Sequence, residues 1–262
     1  MKNYRLDVYL HEKGYVDSRE KSKRLILNGS VLVDDKLITK PSFKVSDNVK
    51  ITIMEELNYV SRGYLKLEKA VETFGIEIKD RIAVDVGAST GGFTDYMLKK
   101  GAKKVYAIDV GHGQLHESLR NNPKVVNMEN TNFRYMDTSV FCENIGIVTV
   151  DVSFISLKYI LPKIVEISRE NTDIVVLIKP QFEAGKNNIG KKGIVKDKKV
   201  HLEVLNNFNS YCKQNNFSII NMDFSPIKGN EGNIEYLSHL KMMKTNNEFN
   251  FKDLIDKAFE IL

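Results

Sequence analysis

The sequence contains no tryptophan, two cysteines and five prolines, and no apolar run approaches the ~18 residues needed to cross a bilayer. Cys142 and Cys212 are too few and too isolated for a disulfide framework or a thiolate metal cluster, so reduced thiols in a cytoplasmic setting are expected. The polar start Met1-Lys2-Asn3-Tyr4-Arg5, with no apolar segment or small-residue cleavage site behind it, argues against export and against a membrane location. Neither sign of charge dominates: 39 Lys and Arg face 34 Asp and Glu. A surplus of five implies nucleic acid only where cations cluster on one face or loop. What remains, 42% apolar and 28% charged residues in a chain of 262, is the composition of a globular protein with one large domain, or a large domain and a small appendage.

Residues 1–56 read as such an appendage, with two helices and a few short strands. Leu6 and Leu10 have helical spacing up to Gly14, and Asp17 or Ser18 caps a second helix that Gly29 closes, with Glu20 completing an Asp-x-x-Glu capping box. Val31 to Val33, an Asp34-Asp35 turn, Ile38 and Val49 to Ile53 follow as strands. Residues 57–60 lack a period and form a linker. From 61 to 262 the pattern changes. A helix capped by Ser61 carries Leu67, Ala70, Val71 and Phe74 on one face and ends at Gly75. Short apolar runs then alternate with helical segments: Ile82 to Val86, Val105 to Ile108, Lys124 to Asn127, Ile147 to Val150, Ile174 to Ile178, Ser218 to Met222 and Ile234 to Leu240. This rhythm predicts an α/β fold with a doubly wound, mostly parallel sheet. The tail from Phe251 is an amphipathic helix that packs on the same domain or offers a face to a partner.

The first strand of the large domain runs into Asp85-Val86-Gly87-Ala88-Ser89-Thr90-Gly91-Gly92-Phe93. Glycines at the carboxyl end of such a strand let the backbone approach a ligand closely, but the spacing G-x-x-x-G-G departs from the dinucleotide pattern and weakens a nicotinamide reading. Asp109, ending the next strand, can accept hydrogen bonds from both hydroxyls of a ribose. The pair fits an adenosine compound without a pyrophosphate, of which S-adenosyl-L-methionine is one. Asp85 and Asp151 are placed to face its cationic groups. A tight turn beside a solvated aspartate is the alternative for either feature alone.

Two further strands end in Asp151-Val152-Ser153-Phe154 and in Lys179-Pro180-Gln181-Phe182-Glu183. A lysine closing a buried strand needs a partner or a purpose, because burying an ammonium is costly. Near another cation in a dry cleft it becomes a usable base. Lys66 and Glu235 are candidate neighbours, although either can be an ordinary surface charge. An Asn-Pro-Pro-aromatic motif, which serves amino-group methylation, is absent after the fourth strand, favouring an oxygen acceptor. His112 and His116 lack a third ligand, so no metal is assigned.

Val60 to Gly63, Asp85 to Thr94, Asp109 to Leu115, Asp151 to Leu157, Lys179 to Glu183 and Gly232 to Tyr236 together resemble the TlyA family of ribosomal RNA ribose methyltransferases, relatives of the FtsJ methyltransferases. The resemblance spans essentially the whole chain. It implies a class I, Rossmann-like domain and a Lys-Asp-Lys-Glu tetrad for 2′-O-methylation, here Lys66, Asp151, Lys179 and Glu235. It places Gly87 to Phe93 around the methionine part of the cofactor, Asp109 on its ribose, and Asn132 and Phe133 near its adenine. It also suggests a cytidine of ribosomal RNA as acceptor.

Residues 1–56 resemble the S4-type RNA-binding domain of ribosomal protein S4, tyrosyl-tRNA synthetases and pseudouridine synthases. That resemblance places Arg19, Lys23 and Arg24 of the second helix, with Arg5 nearby, against folded RNA, where phosphate contacts supply affinity and position. A protein-interaction module is the alternative. Arg62, Lys191 and Lys192 extend the candidate RNA contacts. The two lysines lie in a basic stretch, 184–199, that glycines 185, 190 and 193 make flexible: a loop to close on RNA, or one that is merely solvated. Ribosomal RNA or ribosomal subunits are thus the expected partner, with no membrane. Two rivals stand: a membrane-lytic haemolysin, the label some family members carry, and a non-catalytic RNA-binding or ribosome-assembly protein, which does not need the tetrad.

Overall fold

A computed structural model describes residues 4–27, 29–34, 36–53, 59–190, 193–229, 232–245 and 247–262, without the side chains of Arg24 and Leu37. The chain forms two compact units, Met1–Arg62 and Gly63–Leu262.

The small unit runs β1 (Tyr4–Arg5), α1 (Leu6–Glu12), α2 (Arg19–Leu27), β2 (Val31–Val33), β3 (Lys36–Leu37), β4 (Lys44–Val45) and β5 (Ile51–Ile53). The helical spacing of Leu6 and Leu10 does what it predicts: both are fully buried, with Tyr9, Leu25, Ile26 and Val31, in this unit's own core. Ser18 is the cap of α2, its Oγ accepting from Lys21 N at 3.1 Å. Because the cap is Ser18 rather than Asp17, the box position falls on Lys21 and Glu20 plays no part in it. Gly14 and Gly29 end the helices with φ of 75° and 70°. Strands order β3-β2-β5, antiparallel; the additional β1–β4 pair is too short to leave a periodic signal.

The large unit comprises α3 (Tyr64–Phe74), β6 (Ile82–Val86), α4 (Gly92–Lys99), β7 (Lys104–Ile108), α5 (Glu117–Arg120), β8 (Val125–Met128), β9 (Ile147–Val150), α6 (Leu161–Ile167), β10 (Asp173–Ile178), α7 (Pro180–Glu183), α8 (Lys198–Gln214), β11 (Ser218–Phe224), β12 (Tyr236–Lys241) and α9 (Phe251–Ile261). Its seven strands order β11-β12-β10-β9-β6-β7-β8. Neighbours from β10 to β8 are parallel, whereas β12 is antiparallel to both β10 and β11. The mostly parallel doubly wound sheet is therefore present. Strands β9 and β10 are buried along their whole length, which is why they read as unbroken apolar runs. Asp173, opening β10, is tolerated because Arg81, His239 (2.7 Å) and Lys241 (3.2 Å) surround its carboxylate.

Most strand limits move by one or two residues from the sequence reading, and two differences bear on the site. Helix α3 starts at Tyr64 behind Gly63, with no side-chain cap, so Ser61 does not cap it. Strand β12 starts at Tyr236, leaving Glu235 just ahead of it. Helix α9 buries Phe251, Ile255 and Ala258 in the same core as the sheet, packing against α8 and β11.

Candidate active site

Ligands of open parallel sheets sit beyond the carboxyl ends of the strands, and there the glycine loop leaves β6. Gly87 has φ 86°, and a Cβ on it would lie 2.4 Å from the backbone oxygen of Asp151. Gly91, with φ 95°, precedes α4, and its Cβ would meet Leu119 Cδ1 at 2.2 Å. Between them Ser89, also left-handed at φ 48°, donates its N–H to Asp109 Oδ2 at 2.8 Å, while Gly111 N–H donates to Oδ1 at 2.7 Å. Each oxygen of Asp109 keeps a further acceptor position, so the pinned carboxylate still suits two ribose hydroxyls. Ala88 N–H bonds Ile108 O at 3.0 Å, Thr90 O accepts from His116 N at 3.2 Å, and Gly92 and Phe93 open α4 as buried residues. A backbone cradle with no room for side chains beside a fixed carboxylate fits the methionine and ribose of an adenosine cofactor.

Asp85 is put to a different use from the one its position suggests. It is fully buried, with Oδ2 accepting from Thr94 Oγ1 at 2.6 Å and Oδ1 from Thr149 Oγ1 at 2.9 Å. Burial, only partly offset by these hydroxyls, pushes its pKa up to about 6. It braces the turn from beneath rather than facing a cation. Phe133 is likewise core, 3% exposed, so what it can present to an adenine is backbone. Asn132 is exposed, its Oδ1 accepting from Arg134 N at 3.1 Å.

The four separated polar residues converge. Lys66 Nζ lies 2.7 Å from Glu235 Oε2 and 3.8 Å from Asp151 Oδ2; Lys179 Nζ lies 2.5 Å from Asp151 Oδ1 and 3.0 Å from Ser153 Oγ. The Lys179–Asp151 contact is a close ion pair. Each lysine is 9% exposed and Glu235 2%. Burial disfavours the Lys66 ammonium, but the Asp151 and Glu235 carboxylates outweigh it and hold its pKa above the ordinary lysine value. Burial likewise opposes the Asp151 carboxylate, and the two ammonium groups win, holding it below its usual range. Two cations and two anions thus neutralise one another where any one alone would be prohibitively costly.

Topology explains the meeting. Strand β12 runs against β10, with Tyr236 opposite Ile178, so the start of one strand lies beside the end of the other, and Glu235 falls near Lys179. Asp151 follows β9, next to β10 and β6, and its own carbonyl is the atom packed on Gly87. Pro180 holds Lys179 extended at φ −110°, ψ 102°.

Several supporting residues were not singled out from sequence. Gln181 Nε2 donates to Glu235 Oε1 at 3.3 Å. Glu183 accepts from Ser156 Oγ at 2.6 Å and Leu157 N at 2.8 Å, tying the segment after β9 to α7. Asn233, 1% exposed, bonds Val195 N and Gly193 O at 2.9 Å each, so the described flank of the basic stretch is anchored beside the site rather than loose. Phe154, left-handed at φ 63° and 90% exposed, rests on Phe182 at 4.9 Å between centroids. Gln181, Glu183, Asn233 and Phe154 all belong to the quoted motifs, which carried the signal without their roles.

Of the candidate RNA contacts, Arg5 and Arg19 both bind Asp7, Lys23 is exposed, and Arg62 is half-buried with its stem over Gly29. Lys191, Lys192 and the Arg24 side chain lie outside the described residues. Among the described residues no group of three or more His, Cys, Asp or Glu is arranged for a metal ion, and no helix is long and apolar enough to cross a membrane.

A family model described as FtsJ-like methyltransferase matches residues 59–242, and one described as S4 domain matches residues 5–51. The chain belongs to the FtsJ-like methyltransferase family. The motif resemblance is thereby borne out, and the enzyme class with it. Similar to it at 47% identity, over 91% of this chain and 86% of the relative, is a Bacillus subtilis protein provisionally named rRNA methyltransferase YqxC. The Mycobacterium tuberculosis 16S/23S rRNA (cytidine-2′-O)-methyltransferase TlyA is 39% identical over 90% of this chain and 89% of its own length. A solved structure of a provisionally named hemolysin from Streptococcus thermophilus superposes with a TM-score of 0.79 and 41% identity, covering 100% of this chain and 97% of that one.

Proposed function

We propose that this methyltransferase transfers a methyl group from S-adenosyl-L-methionine to the 2′-hydroxyl of a cytidine in ribosomal RNA, in the cytoplasm, with residues 1–56 holding the RNA and 61–262 performing the reaction. The observation that carries this reading is the convergence of Lys66, Asp151, Lys179 and Glu235 against the glycine loop. A non-catalytic RNA-binding protein would have no use for it. The Mycobacterium tuberculosis relative, named for the same reaction, supports the acceptor.

When bound, the cofactor supplies an electrophilic methyl carbon on a sulfonium. Gly87 to Phe93 would hold its methionine part, Asp109 its ribose, and the segment at Asn132 and Phe133 its adenine. A ribose hydroxyl is scarcely ionised at neutral pH, so a base must take its proton during attack. Lys179, next to the cradle, is that base. Acting in its amine form, Lys179 takes the hydroxyl proton on Nζ as the oxygen attacks, while Asp151, 2.5 Å from that nitrogen, and Lys66 on the other carboxylate oxygen fix its position. Holding two reactants in line contributes about 7 to 11 kcal/mol of barrier reduction. Phe154, projecting on its strained backbone beside the tetrad, offers a stacking face to the base of the acceptor nucleotide.

Ribosomal subunits incubated with labelled cofactor test the reading. The wild-type protein is expected to label ribosomal RNA at a 2′-O-methylcytidine, and Lys179→Ala to label none while still binding cofactor. Equal incorporation by both proteins would remove Lys179 as the base.

A further inference from the structure

The small unit buries a carboxylate completely. Asp7, in the first turn of α1, has 0% exposure. In a unit that binds RNA this is an odd expense, since each acid cancels a cation. Its contacts explain its presence. Arg5 approaches side-on, with Nε 2.9 Å from Oδ1 and Nη2 3.1 Å from Oδ2. Arg19, the first residue of α2, brings Nε and Nη2 to the same Oδ2 at 3.2 Å each. Two guanidinium groups therefore share one oxygen and stand side by side, an arrangement that like charges resist without an anion between them. Burial opposes the Asp7 carboxylate, yet the two arginines hold it below the usual range, so it stays ionised.

Asp7 uses only two of the five N–H groups of each arginine. No other acceptor among the described residues meets the rest, and the side chains remain 41% and 50% exposed. The trio keeps one net positive charge and fixes the planes of both forks before any ligand arrives. Planar, pre-oriented forks suit the two free oxygens of a phosphodiester, and ordering them in advance lowers the entropic cost of binding.

We propose that Arg5, Asp7 and Arg19 form one phosphodiester site, in which Asp7 is a positioning residue aiming both guanidinium groups at the backbone of folded RNA. This rests on the reading of the small unit as RNA-binding. The full-length protein is titrated with purified ribosomal RNA over a range of salt concentrations. Asp7→Asn adds a positive charge, yet is expected to weaken RNA binding about tenfold and to flatten its salt dependence, with cofactor affinity unchanged. Binding equal to or tighter than wild type would overturn the proposal, because independent surface cations gain from losing an acid. Should Asp7→Asn fail to fold, Arg5→Lys and Arg19→Lys decide: both keep the charge and lose the fork. Losses of the same order support the site, and wild-type affinity in both overturns it. Undiminished RNA binding by the Arg5→Ala, Arg19→Ala double variant would remove the RNA-binding reading of this unit as well. Weakened binding there beside an unaffected Asp7→Asn would remove only the organised site.

Discussion

Gly229 and Gly87 both touch the tetrad, and their neighbours assign them different consequences. A Cβ on Gly229 would lie 2.3 Å from Glu235 Oε1, the free end of a side chain, whereas one on Gly87 would meet backbone atoms of Asp151 and Val152. Gly229→Ala is therefore expected to push the Glu235 carboxylate off Lys66, lowering kcat roughly tenfold or more as a tetrad contact is lost, with melting temperature and cofactor affinity nearly unchanged. Unchanged kcat would show that the Lys66–Glu235 contact is dispensable. Gly87→Ala has no such escape: the wall is rigid and φ 86° disfavours a side chain, so a loss of about 1 to 3 kcal/mol in unfolding free energy and of cofactor binding by calorimetry is expected.

Among the elements, α9 shows how a strong amphipathic pattern resolves into packing. Its apolar side covers the edge of the sheet, with Ile255 2% exposed inside the large core. Ile255→Ala removes buried surface at a site walled by α8 and β11 and is expected to cost about 2 to 5 kcal/mol in denaturant unfolding, with cofactor affinity retained in the folded fraction. A change near zero would mean that α9 contributes little to this unit. Strand β12 acts at the same scale but on function. Its reversed direction delivers Glu235 to the edge where the parallel strands deliver Asp151 and Lys179. A seventh strand running parallel would carry its start to the opposite edge.

Across the whole molecule, buried carboxylates give stability an identifiable pH dependence. The pKa of Asp85 is raised to about 6 when folded, above its unfolded value near 4, so the native state holds that proton more tightly. The stabilisation is complete below about pH 4 and is lost as pH rises through 6, to about 3 kcal/mol at most. Asp173 acts with the opposite sign. Burial opposes its carboxylate, but His239, Arg81 and Lys241 hold it well below the usual range, and its contribution disappears as pH falls. The informative quantity is the difference in unfolding free energy between wild type and Asp85→Asn. It should shift in favour of the variant between pH 4 and 7, and a flat difference would show that the threonine hydroxyls keep Asp85 ionised throughout.

The rhythm of strands and helices, the glycine loop and the set of polar residues at strand ends are all legible in the order of residues along the chain. These follow from local periodicity, from turns that admit only small residues, and from the cost of burying charge without a purpose. The same order also carried the motif combination on which family membership is legible. The convergence was the work of tertiary structure. Lys66 and Glu235 are 169 residues apart in the chain, and no local rule brings them within 2.7 Å. Burial, too, was settled only in three dimensions: Asp85 and Asp109 both end or nearly end a strand, yet one is sealed under two threonines and the other faces outward. Asp7 reads as an ordinary helix acid until two arginines from different elements close over it. Spacing constrains what a segment can form, whereas the neighbours that set a side chain's charge, exposure and partner come from elements distant along the chain.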